Sequence, residues 1–247
     1  MLQGASPDGY ARVRRRCADH SLTHPGPRLP PASGRPPKHL VILLHGYGAD
    51  GDDLIELGRA WQPWLPDAAF FAPHAPAALP HAGAAGRQWF PLTMRDPHER
   101  WRGVTQAGPG LDALLDAELA QHALGPRALA LVGFSQGSMM ALHVGLRRPE
   151  PVAAIVGLSG LLVLQDGSGP EALAAAACSR PPILLTHGDG DDVIPPDALF
   201  MSAEALAVAD IPCEWHLSAG IGHGIDDGAL RHAGLFLRRA FGLPHLG

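Results

Sequence analysis

Cysteine is scarce in this chain. Three among 247 residues (Cys17, Cys178 and Cys213) make no CxxC pair and no disulfide framework, which fits a reducing, cytoplasmic setting. Long apolar runs are missing as well. The longest, such as Leu40–Leu44 and Ala153–Leu164, fall far short of the ~20 residues that span a bilayer. No basic stripe runs through the body. The net charge is −5 and the pI about 6.2, which argues against a nucleic-acid partner. Arg12, Arg14, Arg15 and Arg16 crowd the start with no apolar segment behind them, so no secretory signal is expected. Aromatic residues are few, at 6%, yet apolar residues reach 46%, enough for a sizeable core in one large α/β domain.

What is present becomes regular after an irregular start. Residues 1–37 are rich in Pro, Gly and Arg and read as an extended lead-in; residues 38–247 read as a single domain. Short apolar runs recur: "HLVILLHG" (39–46), "DAAFFAPHAP" (67–76), "RALALVGF" (127–134), "PVAAIVGLSG" (151–160), "PPILLTHGDG" (181–190) and "CEWHL" (213–217). The middle ones are apolar throughout, as strands buried on both faces are. Helical stripes lie between them, at Leu111, Leu114, Leu115 and Leu119, and again at Leu230, Ala233, Leu237, Ala240 and Phe241. "VIPPDALFMSAEAL" places prolines where a helix should start. This alternation predicts an α/β fold with a mostly parallel central sheet and helices on both faces. Residues 79–104, with two tryptophans and no strong period, break the rhythm and read as a long functional loop, lid-like in character.

One turn in this pattern carries chemistry. In "LALVGFSQGSMMAL" the apolar strand stops at Gly133-Phe134-Ser135-Gln136-Gly137 and a helical sequence resumes. This is G-x-S-x-G, a sharp strand-to-helix turn that lifts a serine hydroxyl above the sheet. The competing reading is that the glycines make room for packing and Ser135 is inert. A serine needs a base, and in this type of turn the acid and then the histidine follow in the chain. His216 sits mid-strand, His232 on the last helix and His245 in the tail. His223 alone lies in a glycine-rich loop after a strand, "AGIGHGID", and is chosen as the base. The acid comes from the loop after "PPILLTHG", where Asp189, Asp191 and Asp192 all qualify by spacing. Backbone N–H groups for an oxyanion are expected from Gln136, after the serine, and from Tyr47, after His45-Gly46 at the end of the first long strand. Nucleotide binding by the same glycine-rich loop (Gly46, Gly48 and Gly51, then Asp52) is disfavoured, because no Gly-Lys-Ser/Thr follows. A metal-dependent hydrolase using His187, Asp189, Asp191 and Asp192 is the weaker rival, since these ligands share one short loop.

These pieces together resemble the phospholipase/carboxylesterase family of α/β-hydrolases, which includes bacterial carboxylesterases and acyl-protein thioesterases (lysophospholipases). The matching segments are "LLHGYGADGDDLIELG", "APHAP", "GRQWFPL", "LVGFSQGSMMAL", "GLSG", "LLTHGDGDDVIP" and "GIGHGI", in the family's order and across roughly residues 38–240. The resemblance implies an α/β-hydrolase fold and a serine hydrolase of carboxylic esters or thioesters. It implies no metal and no cofactor, a small-molecule ester or acyl substrate, and a possible homodimer. It places the acid at Asp191, with Asp192 the alternative, because proline often stands where Asp192 does. It also implies that Tyr47 and Gln136 supply the oxyanion N–H groups, and that Trp89 in "GRQWF" lines the acyl site. The rival from another class is a binding protein on this scaffold with an idle triad.

Overall fold

The computed structural model describes residues 25–80, 86–93, 95, 96 and 98–244. His245 and residues 1–24 of the expected lead-in therefore lie outside the described residues. In chain order the elements are β1 (Arg28–Leu29), β2 (His39–Leu44), α1 (Gly51–Trp61), β3 (Ala68–Phe71), β4 (Ala77–Ala78) and β5 (Arg87–Gln88). Then follow α2 (Glu99–Gln121), β6 (Leu129–Phe134), α3 (Gln136–Gly145), β7 (Ala154–Leu158), α4 (Glu171–Ala176), β8 (Ile183–Gly188), α5 (Asp197–Val208), β9 (Cys213–Ser218) and α6 (Asp227–Ala240). Among the described residues, seven strands make one sheet in the order β1-β3-β2-β6-β7-β8-β9. All its pairings are parallel except that of β1 with β3, so the expected α/β fold is the one observed.

The apolar strands have a simple origin. Leu40, Ile42 and Leu44 of β2 join a core shared with α2, α3 and α5, while Val41 and Leu43 face the opposite core with Trp61, Phe236 and Leu237. Both faces are covered, so every one of these positions must be apolar. Helix starts are capped as their sequence suggests. Asp50 and Asp53 form a capping box on α1, Pro196 precedes α5, and the Asp226 carboxylate accepts the Ala229 N–H of α6 at 2.9 Å. A parallel sheet brings the carboxyl ends of β2, β6, β7, β8 and β9 to one edge, where the loops following them carry the chemistry.

Two segments differ from the expectation. The lead-in is not all outside the fold. β1 pairs with β3, and the Arg28 guanidinium meets both Glu118 carboxylate oxygens at 2.6 Å while lying 3.6 Å over the Phe71 ring. The 79–104 stretch is only partly a loop, because α2 already begins at Glu99. Gly103, Gly108, Pro109 and Gly110 hide the first turns of that helix from an apolar-period reading, which finds only the stripe from Leu111 on. Gly103 is needed there for packing: a Cβ on it would lie 2.2 Å from the Phe90 ring. Among the described residues, no helix is long and apolar enough to cross a membrane.

Candidate active site

Ser135 occupies the turn between β6 and α3 with φ 53° and ψ −114°, a backbone region that costs a non-glycine residue about 1–3 kcal/mol. The flanking glycines explain how the turn closes. A Cβ on Gly133 would lie 2.2 Å from Gly137 O, and one on Gly137 would lie 1.8 Å from Leu44 O. The glycines are packing residues, and what they pack is the turn that presents Ser135; the two readings of this motif are not alternatives. Both obstructing atoms are backbone and cannot swing aside. Gly137→Ala is therefore expected to destabilise the fold by about 3 kcal/mol or more, read as a fall in Tm of roughly 6–12 °C. An unchanged Tm would contradict this account of the turn.

Three expected residues meet at the carboxyl edge of the sheet. His223 Nε2 lies 3.0 Å from Ser135 Oγ, and His223 Nδ1 lies 2.7 Å from Asp191 Oδ2. The Asp191 side chain is fully buried, and its Oδ1 accepts the N–H groups of Val193 and Ile194 at 2.9 Å each. Burial alone would raise the Asp191 carboxyl pKa. Hydrogen bonds from His223, Ile194 and Val193 outweigh it, and the net direction is down. A carboxylate so held makes Nδ1 the protonated ring nitrogen and leaves Nε2 to accept from the serine hydroxyl.

The loop bearing His223 is anchored on both sides. Gly190 N–H donates to Ile221 O at 2.9 Å, Gly220 N–H donates to Asp189 Oδ1 at 2.7 Å, and Ser159 Oγ donates to Gly224 O at 2.8 Å. Phe134 packs on the imidazole with 5.1 Å between ring centroids. Ser159 sits at φ 45°. Sequence reasoning missed it, although its place in "GLSG" at the end of a buried strand marked the position.

The remaining candidates are separated by geometry. Asp192 is exposed and does not reach His223, and Asp189 is spent on the Gly220 N–H. His187 Nε2 donates to Ile194 O at 2.8 Å. The loop thus uses its polar atoms to build itself rather than to face a common metal. His216 and His232 stack edge-on against each other at 5.5 Å, and His232 lies 3.7 Å from Glu214. At the start of α1, where a phosphate would sit, stand the carboxylates of Asp50, Asp52 and Asp53, which repel an anion.

On the other flank of Ser135, a Cβ on Gly46 would come within 3.4 Å of the Ser135 Cβ, so the loop after β2 abuts the serine. Among the described residues, the Tyr47 N–H meets no acceptor. The Gln136 N–H is the first of α3, one of the four that a helix leaves without an internal partner. Trp89 is 6% exposed, and its indole N–H donates to His45 O at 2.9 Å, so it lies beneath this loop. Trp101 packs edge-on against His143 at 5.6 Å and beside Arg147.

The family model described as phospholipase/carboxylesterase matches residues 31–240. An esterase of Escherichia coli strain K12, YpfH, is 29% identical over 199 residues, covering 81% of this chain and 82% of that protein. Acyl-protein thioesterase 1 of Schizosaccharomyces pombe is 34% identical over 170 residues, covering 67% and 74%. Among solved structures, the crystal structure of esterase PE8 superposes with a TM-score of 0.81 at 46% identity, covering 87% of this chain and 98% of that one. With the fold and so broad a match in hand, the chain belongs to the phospholipase/carboxylesterase family of α/β-hydrolases and is a carboxylic ester hydrolase.

Proposed function

We propose that the protein cleaves carboxylic esters or thioesters with Ser135 as nucleophile, His223 as general base and acid, and Asp191 as the residue that orients His223. The observation that carries this reading is the unbroken chain of 2.7 Å and 3.0 Å contacts from Asp191 through His223 to Ser135. Ser135 Oγ attacks the acyl carbonyl carbon as its proton passes to His223 Nε2. The carbonyl oxygen becomes an oxyanion between the Tyr47 and Gln136 N–H groups, where fixed dipoles meet the new charge. The imidazolium is stabilised by the Asp191 carboxylate and then protonates the departing alkoxide or thiolate. Water, deprotonated by His223, attacks the acyl-enzyme, releasing the carboxylic acid and restoring the serine.

The acyl group is assigned to a cavity that begins next to Gly160, which abuts Ser135, and Ile194, which bonds Asp191, although neither Ser135 nor His223 lines it. The cavity, of about 730 Å³, is lined by Leu161, Leu162, Leu164, Ile194, Ala198 and Met201 among others. Its walls come from the loop after Gly160, from Ile194 and Pro195, from α5 and from Arg100 of α2. Its size and apolar floor suit an aliphatic acyl chain. Trp89, beneath the oxyanion loop, supports the site rather than facing the cavity.

A fluorophosphonate probe is expected to label Ser135 at one equivalent, with turnover across short- to medium-chain p-nitrophenyl esters and matched thioesters. Labelling without turnover on any of them would identify an idle site on a hydrolase scaffold and overturn the proposal.

A further inference from the structure

Residues 86–90 cross between the two peptides assigned to the oxyanion. On one side, Gly48 N–H donates to Arg87 O at 2.9 Å and Arg87 N–H donates to Ala49 O at 3.0 Å. The segment thus pairs with the loop that carries the Tyr47 N–H. The approach is close enough that a Cβ on Gly86 would lie 1.9 Å from Gly48 O. The Trp89 indole adds its bond to His45 O at 2.9 Å. On the other side, Trp89 N–H donates to Gln136 Oε1 at 2.9 Å and Gln136 Nε2 donates to Phe90 O at 2.8 Å. Gln136 is fully buried and both ends of its carboxamide are taken.

A third tie closes the frame. His45 Nδ1–H donates at 2.7 Å to Gly46 O, the carbonyl of the same peptide whose N–H belongs to Tyr47, and His45 Nε2 accepts the Ala75 N–H at 2.9 Å. Burial lowers the His45 pKa against the opposing pull of the Gly46 carbonyl, keeping the ring neutral as the Ala75 bond requires.

We propose that the Gln136 carboxamide is a positioning residue: held between Trp89 N–H and Phe90 C=O, it sets the Gln136 N–H and, through the shared 86–90 strap, the Tyr47 N–H to converge on one oxygen. This rests on Ser135 being the nucleophile. The physical basis is that donors stabilise an oxyanion only if fixed before the charge forms. Two hydrogen bonds in opposite senses fix a side chain against rotation, where one would leave a hinge. The carboxamide touches no substrate atom and acts through the main chain of its own residue.

Gln136→Met removes both bonds, keeps similar volume and leaves the residue-136 main-chain N–H in place. Its kcat should fall roughly 10- to 100-fold with KM within threefold, less than the ~10²–10³ lost with a whole donor. Affinity for an alkyl boronic acid, whose Ser135 adduct is tetrahedral, should fall in step with kcat. Affinity for a non-reacting amide of the same chain should hold. Trp89→Phe, which deletes the indole bond to His45 O and leaves both carboxamide bonds, should shift the same ratio less; Gln136→Leu, which also removes both carboxamide bonds, decides the matter where the Met variant does not fold. Boronate affinity and kcat within twofold of wild type would overturn the proposal. So would equal loss of boronate and amide affinity, the mark of general packing. Failure of the nucleophile assignment is seen separately, as wild-type Ser135 that takes no fluorophosphonate.

Discussion

Ser135→Ala is expected to lower kcat toward a short p-nitrophenyl ester by roughly a millionfold, the scale on which a serine nucleophile fails when removed. On the proposed mechanism His223 would then have no hydroxyl to activate, and no acyl-enzyme would form. What should survive is stabilisation of direct water attack by the proposed Tyr47 and Gln136 N–H donors, worth about 10³–10⁴ over the uncatalysed reaction. The fold persists, because the Ser135 N–H to Leu158 O bond at 2.9 Å is main-chain. Stability gives a second readout. Alanine inherits the strain of φ 53°, whereas glycine does not. Ser135→Gly should therefore be as inactive as Ser135→Ala but more stable than it by about 1 kcal/mol, or 2–4 °C in Tm. Both variants lack the bond to His223, so their difference isolates the strain the nucleophile carries. Retained turnover in either variant would remove Ser135 from the mechanism; equal Tm values would remove the strain.

Much of the frame was legible because the sheet is covered twice. Leu40–Leu44 and Leu129–Val132 are apolar at every position, since alternate side chains enter opposite cores. G-x-S-x-G was legible because its glycines answer backbone contacts at 1.8 Å and 2.2 Å, which no other residue tolerates. His223 was legible from its loop. The choice among Asp189, Asp191 and Asp192 was not legible from spacing, because three adjacent carboxylates differ only in where a tight turn points them; the family resemblance is what singled out Asp191. The start of α2 was hidden by Gly103 and Pro109, whose presence is set by packing on Phe90 rather than by helix propensity. β1 was hidden because two residues show no period, and the carboxylate that Arg28 meets lies on a helix 90 residues away. The strap at 86–90 works largely through main-chain groups, which leave no mark on side-chain pattern. His45 and the Gln136 carboxamide, which tie to it, stood inside recognised motifs but were read only for their neighbours' N–H groups.

The same turn that hid the acid makes it testable. Asp191→Asn should cost about 10⁴ in kcat at neutral pH, while Asp192→Asn, at an exposed position, should stay within twofold. The size of the first effect follows from what the carboxamide must do. Asp191 Oδ1 accepts two main-chain N–H groups at 2.9 Å. An asparagine keeps its oxygen there, because reversing it would press an NH₂ group against both donors. Its nitrogen then takes the place of Oδ2 and donates to His223 Nδ1. That forces the proton to Nε2, which faces Ser135 Oγ at 3.0 Å and can no longer accept from it. The base is present, correctly placed and in the wrong tautomer. The NH₂ group also faces His187 Nε2, 3.2 Å from Oδ2 and itself donating to Ile194 O, so Asp191→Asn loses stability as well as rate. Fluorophosphonate labelling of Ser135 should slow in step with kcat, since both need the hydroxyl activated. If Asp192→Asn were the damaged variant and Asp191→Asn active, the exposed carboxylate would have to reach His223 in solution, and the assignment of the acid would pass to it.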